Sequence, residues 1–316
     1  MRAGGLFVSC TDEQQTLCAY RENASARRVH VLLHGNHTAT IEDADDPRVF
    51  THDDVHWVLN NNYYRPSLIH LRANGTLGRE LRLPWWDTKN VAPLSWGPND
   101  LHLLDLQAGL LWPARLTDAV AVLLGAPLAL RVERVLNGQP CVLPPNCVAR
   151  GGTAGVHLHY TDVHAYGAGH CTLRTRTRVT HVAFWWTLHM PSRAVRMQPL
   201  CTSRRALVDP SALYALARRP PNRRSNRTRD EAVWLMATTE ADQEWNRRGN
   251  QPYYNRMYRG VQLLSERVRP LPPGTGKRAL APPPGARRAG GPSLLARVRQ
   301  WWRRRVSPRQ PVPIQH

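Results

Sequence analysis

Between residues 28 and 204 hydrophobic and polar positions alternate in short runs that are cut by turn residues. Val29-His30-Val31-Leu32-Leu33 runs into Gly35-Asn36, Val55-His56-Trp57-Val58-Leu59 into three Asn, and Leu68-Ile69-His70-Leu71 into Asn74-Gly75. Runs of this length bounded by Gly and Asn predict strands. Asn-Gly predicts a hairpin, because both residues tolerate positive φ, and it recurs at Asn137-Gly138 after the apolar run Leu128 to Leu136. From Cys171 to Trp186 the period is two, which predicts a strand with one wet face. One helix is expected to interrupt, around Leu116 to Leu124. The pattern predicts a mostly antiparallel β-sheet or sandwich core.

Past residue 205 the spacing turns helical. Thr228-Arg229-Asp230-Glu231 has the form of a capping box, and the helix it opens would run to Arg248, where Gly249 supplies a stop. A second helix is expected to start at Pro252 and end before Pro270, since Tyr254, Met257, Val261, Leu264 and Val268 fall on one 3.6-residue stripe. The expected class is therefore α+β. It comprises an N-terminal segment 1–27, a β-rich core domain 28–204 and a helical region 205–268 packed on the core. A Pro/Gly/Arg linker 269–292 and a basic amphipathic tail 293–316 complete the chain. In that tail Leu294, Leu295, Val298, Trp301, Trp302 and Val306 would share one helical face, a helix too short to be stable without a partner.

Charge sharpens this division. The 316 residues carry 43 Lys plus Arg against 23 Asp plus Glu, a net charge of +20. Residues 1–192 hold 17 basic and 16 acidic residues, whereas 193–316 hold 26 and 7. All but Lys89 and Lys277 of the basic residues are Arg. Ile and Phe are scarce too, a bias expected of a G+C-rich genome and compatible with an accessory protein of a G+C-rich DNA virus. Codon bias acts on both parts of the chain, so the asymmetry points instead to an acidic partner of the C-terminal third.

No run of about 18 uncharged apolar residues occurs. The best stretch, Leu103 to Leu130, is broken by Asp105, Arg115, Asp118 and two prolines. The first ten residues lack the apolar stretch of a secretory signal. Cys10, Cys18, Cys141, Cys147, Cys171 and Cys201 are accordingly expected to be reduced thiols of a nuclear or cytoplasmic protein. Four glycosylation sequons, at Asn23, Asn36, Asn74 and Asn226, argue the other way.

Arg204, Arg205, Arg218, Arg219, Arg223 and Arg224, with Asp209 as the sole acid between Arg193 and Arg229, form one candidate phosphate-contacting patch. Arg297, Arg299, Arg303, Arg304 and Arg305 with Trp301 and Trp302 form another. Arg offers bidentate phosphate contacts and Trp offers stacking faces for unpaired bases, so nucleic acid is the expected partner. The same residues suit an anionic membrane surface, and Arg303-Arg304-Arg305 also suits a nuclear-import tag. The β-rich domain would then dock a protein partner.

Histidine gathers at His157, His159, His164, His170, His181 and His189. Cys141 and Cys147 with His157 and His159 would build a tetrahedral zinc site, although their spacing fits no zinc-finger pattern. No cofactor is otherwise expected. His157-Leu158-His159 also resembles the metal-holding His-hydrophobic-His motif of nickases and replication initiators. Those enzymes attack DNA with a tyrosine on a nearby helix, for which Tyr253, Tyr254 and Tyr258 are candidates. Phosphate-binding glycine loops, GxSxG and HExxH are absent from the sequence, and Gly151-Gly152-Thr153-Ala154-Gly155 reads as a turn. The balance favours a non-enzymatic binding protein.

Overall fold

The computed structural model describes residues 6–11, 16–22, 26–62, 66–83, 90–97, 99–117, 121–134, 143–155, 163–174, 178–200, 207–219, 231–241, 245–246, 256–258 and 264–266. At 6, 7, 121, 178, 207, 208 and from 214 onward it describes the backbone alone. One compact unit ends at Pro270, and every regular element in its described residues is a strand.

Strands β1 (Leu6–Cys10), β2 (Leu17–Arg21), β3 (Arg28–Leu33) and β4 (Asn36–Glu42) form an antiparallel sheet in which each pairs with the next. β5 (Arg48–His52), β6 (Val55–Asn60), β7 (Ser67–Leu71) and β8 (Leu77–Arg82) repeat that plan. In the third sheet β9 (Ala92–Gly97), β10 (Asp100–Asp105) and β11 (Leu110–Leu116) run up and down, and β12 (Ala121–Leu123) and β13 (Leu128–Ala129) both pair with the outer side of β11. The fourth holds β14 (Arg131–Arg134), β15 (Val148–Gly151), β16 (His164–Arg174), β17 (Arg178–His189) and β18 (Ala194–Pro199), in the order β14-β18-β17-β16-β15. β14 joins β18 in parallel. Last come β19 (Leu207–Arg219) and β20 (Glu231–Ala241), a long hairpin. β21 (Trp245–Asn246) returns to β17, and β22 (Arg256–Tyr258) and β23 (Leu264–Glu266) both pair with β20.

The sheets contact one another in chain order: β1 meets β5, β5 meets β9, β10 meets β15, and β16 and β17 meet β19. Contacts of β1 with β19 and β20 bring the last sheet back to the first. A cyclic series of four-stranded meanders is the plan of β-propeller blades.

The tight turns follow from residues that accept positive φ. His34 (φ 48°) with Gly35 (φ 82°) and Asp53 (φ 49°) with Asp54 (φ 60°) make two-residue connections with both central φ positive, the hairpin geometry that matches strand twist. Gly75 closes the β7–β8 hairpin at φ 79°, and a Cβ there would stand 2.6 Å from Thr38 Oγ1. The Asn74-Gly75 hairpin thus forms as its sequence predicts, whereas Asn137-Gly138 lies outside the described residues.

Apolar clusters fill the spaces between successive sheets. Val29, Val31 and Ile41 meet Val58, Ile69 and Leu71, and Trp57, Leu59 and Leu68 meet Leu101 and Leu103. On the far side Leu94, Leu104 and Leu111 meet Phe184, Trp186, Leu188 and Met197. β10 therefore sends Leu101 and Leu103 one way and Leu104 the other. Burial on both faces explains its nearly unbroken apolar run, the same run that begins the stretch most like a membrane span.

The α+β expectation is overturned. Leu116 to Leu124 is the β11–β12 hairpin, in which Leu116 pairs with Ala121. The expected helix from Thr228 is instead β20, and its supposed cap residue Glu231 pairs with Arg219 of β19. The expected helix from Pro252 instead supplies β22 and β23, both of which pair with β20. Ala, Leu, Met and Glu in these segments are good helix formers, but the preference is small per residue and yields to tertiary pairing. A long, Ala- and Leu-rich β19 offering antiparallel pairing along its whole length overrides that preference. Residues ahead of 28 contribute two strands to the first sheet.

The reduced-thiol expectation also needs correction. Cys10 and Cys18, cross-strand partners in β1 and β2, are disulfide-bonded, as are Cys147 and Cys171. The sequons Asn36 and Asn74 are exposed.

Candidate functional site

The β16–β17 hairpin has two buried faces of different character. Cys171, Phe184, Trp186 and Leu188 point into the apolar cluster shared with the third sheet. Register places His170 opposite Ala183 and Thr172 opposite His181 on the other face. The period-two alternation is real, but the face expected to be wet is covered, since β19 lies against both strands. His170 and Thr172 are 4% and 3% exposed as a result.

Close backbone approach makes this covering possible. Gly152 and Thr153 both donate backbone N–H to Ala168 O at 3.0 Å, and the Thr153 hydroxyl accepts from Ala168 N at 3.0 Å. A Cβ on Gly152 would fall 2.5 Å from Pro210 O, and one on Gly169 would fall 2.3 Å from Arg150 O. The glycine-rich stretch read as a turn is thus the seat on which the start of β19 rests.

β19 brings Asp209 to the histidines. Asp209 Oδ1 accepts from His181 Nδ1 at 2.7 Å and lies 3.2 Å from His170 Nδ1. The two imidazoles stack with centroids 4.4 Å apart and planes 22° apart. Burial drives the His170 pKa down to about 3; Asp209 opposes that, His181 and Arg150 reinforce it, and Asp46 opposes it.

A second buried ion group adjoins this one. Arg21 pairs with Asp45 and, at 3.2 Å, with Asp46, and donates to Ala26 O from Nε at 3.0 Å and from Nη2 at 2.8 Å. Arg48, 2% exposed, donates to Pro47 O at 2.8 Å. Burial lowers its pKa, while Asp46, Asp209 and Asp45 raise it. Val49 N donates to Ser9 Oγ at 2.9 Å, so β1, β5, β16, β17 and β19 all meet around these charges.

The three Asn after Val55–Leu59 are more than turn residues. Asn60 Oδ1 accepts from Asp45 N at 2.9 Å, Asn61 Nδ2 donates to Asp46 O at 3.2 Å, and Asn62 Nδ2 donates to Asp43 O at 2.6 Å. They hold the loop carrying Asp45 and Asp46 beside Arg21 and Arg48.

These buried histidines fix a pH response. Burial also lowers the pKa of His52 and of His102, against Asp53 and Asp100 in the first case and Asp100 in the second. Each group binds its proton less readily in the folded chain than in the unfolded chain, where its pKa is near 6.5. Stability is unaffected by these groups above about pH 6.5 and falls as pH drops towards the folded values, by at most about 1.4 kcal/mol per pH unit per histidine. Urea unfolding of the metal-free protein at pH 7, 6 and 5 is expected to give steadily lower midpoints. Equal midpoints at pH 7 and 5 would contradict the assignment.

Of the residues singled out from sequence, His170 and His181 are brought together, and Asp209 is their partner. The missed signal was register: antiparallel pairing of β16 with β17 sets 172 opposite 181, and Asp209 is the one acid in a basic stretch. His164 faces His189 across the hairpin with ring centroids 4.9 Å apart. The expected zinc set does not assemble as drawn, because Cys147 is bonded to Cys171; Cys141, His157 and His159 lie outside the described residues. The nickase expectation loses its tyrosine helix, since Tyr258 is in strand β22, and Tyr253 and Tyr254 are outside the described residues. Arg218 and Arg219 end β19. Arg204, Arg205, Arg223, Arg224, Arg297, Arg299, Trp301, Trp302, Arg303, Arg304 and Arg305 are outside the described residues.

No family model matches the chain, and no curated protein matches it. Among solved structures, the N-terminal domain of Nup159 is similar at 11% identity and TM-score 0.31, covering 77% of this chain and 75% of that one. A catalytically inactive virginiamycin B lyase from Staphylococcus aureus, bound to quinupristin, is similar at 11% identity and TM-score 0.35, covering 78% and 71%. A putative 6-phosphogluconolactonase from Bacteroides fragilis is similar at 9% identity and TM-score 0.32, covering 76% and 68%. At these scores neither function nor residue roles pass to this chain, and the site stands on its own geometry.

Proposed function

We propose that this chain is a β-sheet scaffold that docks a protein partner and joins it to nucleic acid through its Arg-rich C-terminal third. The observation that carries the reading is the partition of charge: 17 basic against 16 acidic residues in 1–192, and 26 against 7 in 193–316. Within 1–192 the two signs nearly balance, and they pair both in a buried group, Arg21 with Asp45 and Asp46, and in exposed pairs such as Arg27 with Asp43. The surplus in 193–316 has too few acids to neutralise it and favours a polyanion. Exposed Val122, Leu124 and Val132 on and beside β12 and β14 support protein docking, since among the described residues both strands are sheet edges and an edge with apolar side chains accepts an added strand.

The test compares the full chain with one ending at Pro270, using a fluorescent single-stranded oligonucleotide and, separately, anionic vesicles. Oligonucleotide binding by the full chain that is lost from the shorter one, with no vesicle binding, is the expected result. Vesicle binding dependent on Trp301 and Trp302, without oligonucleotide binding, would overturn it in favour of a membrane surface.

A further inference from the structure

We propose that His170, His181 and Asp209 bind a divalent transition-metal ion of the zinc class. Two imidazole nitrogens and one carboxylate oxygen are a donor set that such ions prefer to the all-oxygen sets of calcium and magnesium. The three ligand atoms lie within 4.8 Å of one another, and they come from strands whose positions the fold fixes. His170 and His181 are set by the β16–β17 register. Asp209 is set by β19, whose next residue rests against Gly152.

A structural hydrogen-bonded triad accounts for only part of this arrangement. Asp209 Oδ1 accepts from His181 Nδ1 at 2.7 Å. His170 Nδ1 faces the same oxygen at 3.2 Å but makes no hydrogen bond, and it is a buried nitrogen without a hydrogen-bond partner. Buried polar atoms are almost always satisfied, so this nitrogen, 3.2 Å from a carboxylate oxygen without a hydrogen bond to it, is the second sign of a ligand. Thr172 Oγ1 is also buried without a hydrogen-bond partner, on the residue opposite His181. Zinc bonds of about 2.0–2.1 Å place tetrahedral donors about 3.3 Å apart. The His170–Asp209 separation already matches that figure, the His181–Asp209 contact would lengthen by about 0.6 Å, and the two imidazole nitrogens, which lie within 4.8 Å of each other, would adjust to the same spacing.

Access and charge are compatible with an ion. The His181 side chain is 14% exposed against 6% for His170 and 7% for Asp209, so entry is from the His181 side. Arg48 and Arg150 act electrostatically on Asp209 and His170 respectively, and they would weaken the site. Asp45 and Asp46 act on Arg48 and offset that effect. Three protein ligands leave a fourth position for water or for a ligand of the metal, as in open rather than closed zinc sites.

The experiment titrates chelator-treated full-length protein with Co²⁺, followed by visible absorption, and then adds Zn²⁺. Expected are one equivalent of bound Co²⁺ with a visible d–d band, displacement by Zn²⁺, and a rise in the melting midpoint with Zn²⁺ that EDTA reverses. In His181→Ala the affinity should fall by more than about 100-fold, beyond the 10–100-fold typical of losing an outer-shell partner. Replacing Cys141, His157 and His159 together should leave it unchanged. No stoichiometric Co²⁺ binding together with an unshifted wild-type melt would overturn the proposal without recourse to any variant. Binding that survives His181→Ala, or that disappears with Cys141, His157 and His159, would overturn it equally.

Discussion

Replacing Asp209 by Ala is expected to destabilise the folded chain by about 3–5 kcal/mol, the range for breaking a buried charged group away from its partners. Three consequences add. The His181 Nδ1–H loses its acceptor at 2.7 Å. Arg48, 2% exposed, loses one of the three carboxylates that offset its burial. The start of β19 also loses its polar tie to β16 and β17, the strands through which the last sheet meets the fourth. Asp209→Asn keeps the shape and can still accept from His181, so its cost should be smaller, and the difference between the two variants measures the charge. Urea unfolding at pH 7 checks both. A loss below about 1 kcal/mol for the alanine variant would mean that Asp209 is not the counter-charge of this junction.

The sheet meanders were legible in the sequence because their strands are bounded by residues with positive-φ tolerance and carry alternating apolar side chains. Val29–Leu33, Val55–Leu59 and Leu68–Leu71 fall inside β3, β6 and β7 on that basis. The last sheet was not legible. Ala232 to Met236 and the Tyr254–Val268 stripe have compositions that helix and strand share, and what decides between them is pairing with distant strands, β19 for the first and β20 for the second, which no local window contains. The histidine cluster was visible as a concentration of one residue type, but not as a site. Asp209 reaches it from 28 residues beyond His181, through a strand crossing a face that the alternation marked as solvent-exposed. The charge partition was fully legible, because it depends on composition alone.

Replacing Trp186 by Ala should cost a similar amount, about 3–5 kcal/mol. Its side chain is 1% exposed at the centre of the cluster between the third and fourth sheets. Two glycines seat the indole. A Cβ on Gly167, its cross-strand partner, would stand 2.0 Å from the ring, and one on Gly155 would stand 3.2 Å from it. The cavity left by alanine would therefore be lined partly by backbone, which collapses poorly. Trp186 Nε1 is buried with no hydrogen-bond partner, so Trp186→Phe removes an unsatisfied donor along with volume and should cost much less, below about 1.5 kcal/mol. Gly167→Ala should destabilise the wild type by about 1–3 kcal/mol through overpacking. That penalty should shrink when Phe replaces Trp186, a coupling that denaturation of the two single variants and the double variant would reveal.

Polyanion binding is tested most directly by the salt dependence of oligonucleotide affinity for the full chain, beside a variant with Arg297, Arg299, Arg303, Arg304 and Arg305 changed to Gln. For single strands each neutralised phosphate contributes about −0.7 to the slope of log K against log salt. Five arginines in contact predict a slope shallower by about 3.5 in the variant. A steep linear dependence in the wild type that flattens by this amount is the predicted result. A wild-type affinity insensitive to salt, or equal slopes for the two proteins, would contradict the assignment of the C-terminal arginines to phosphate.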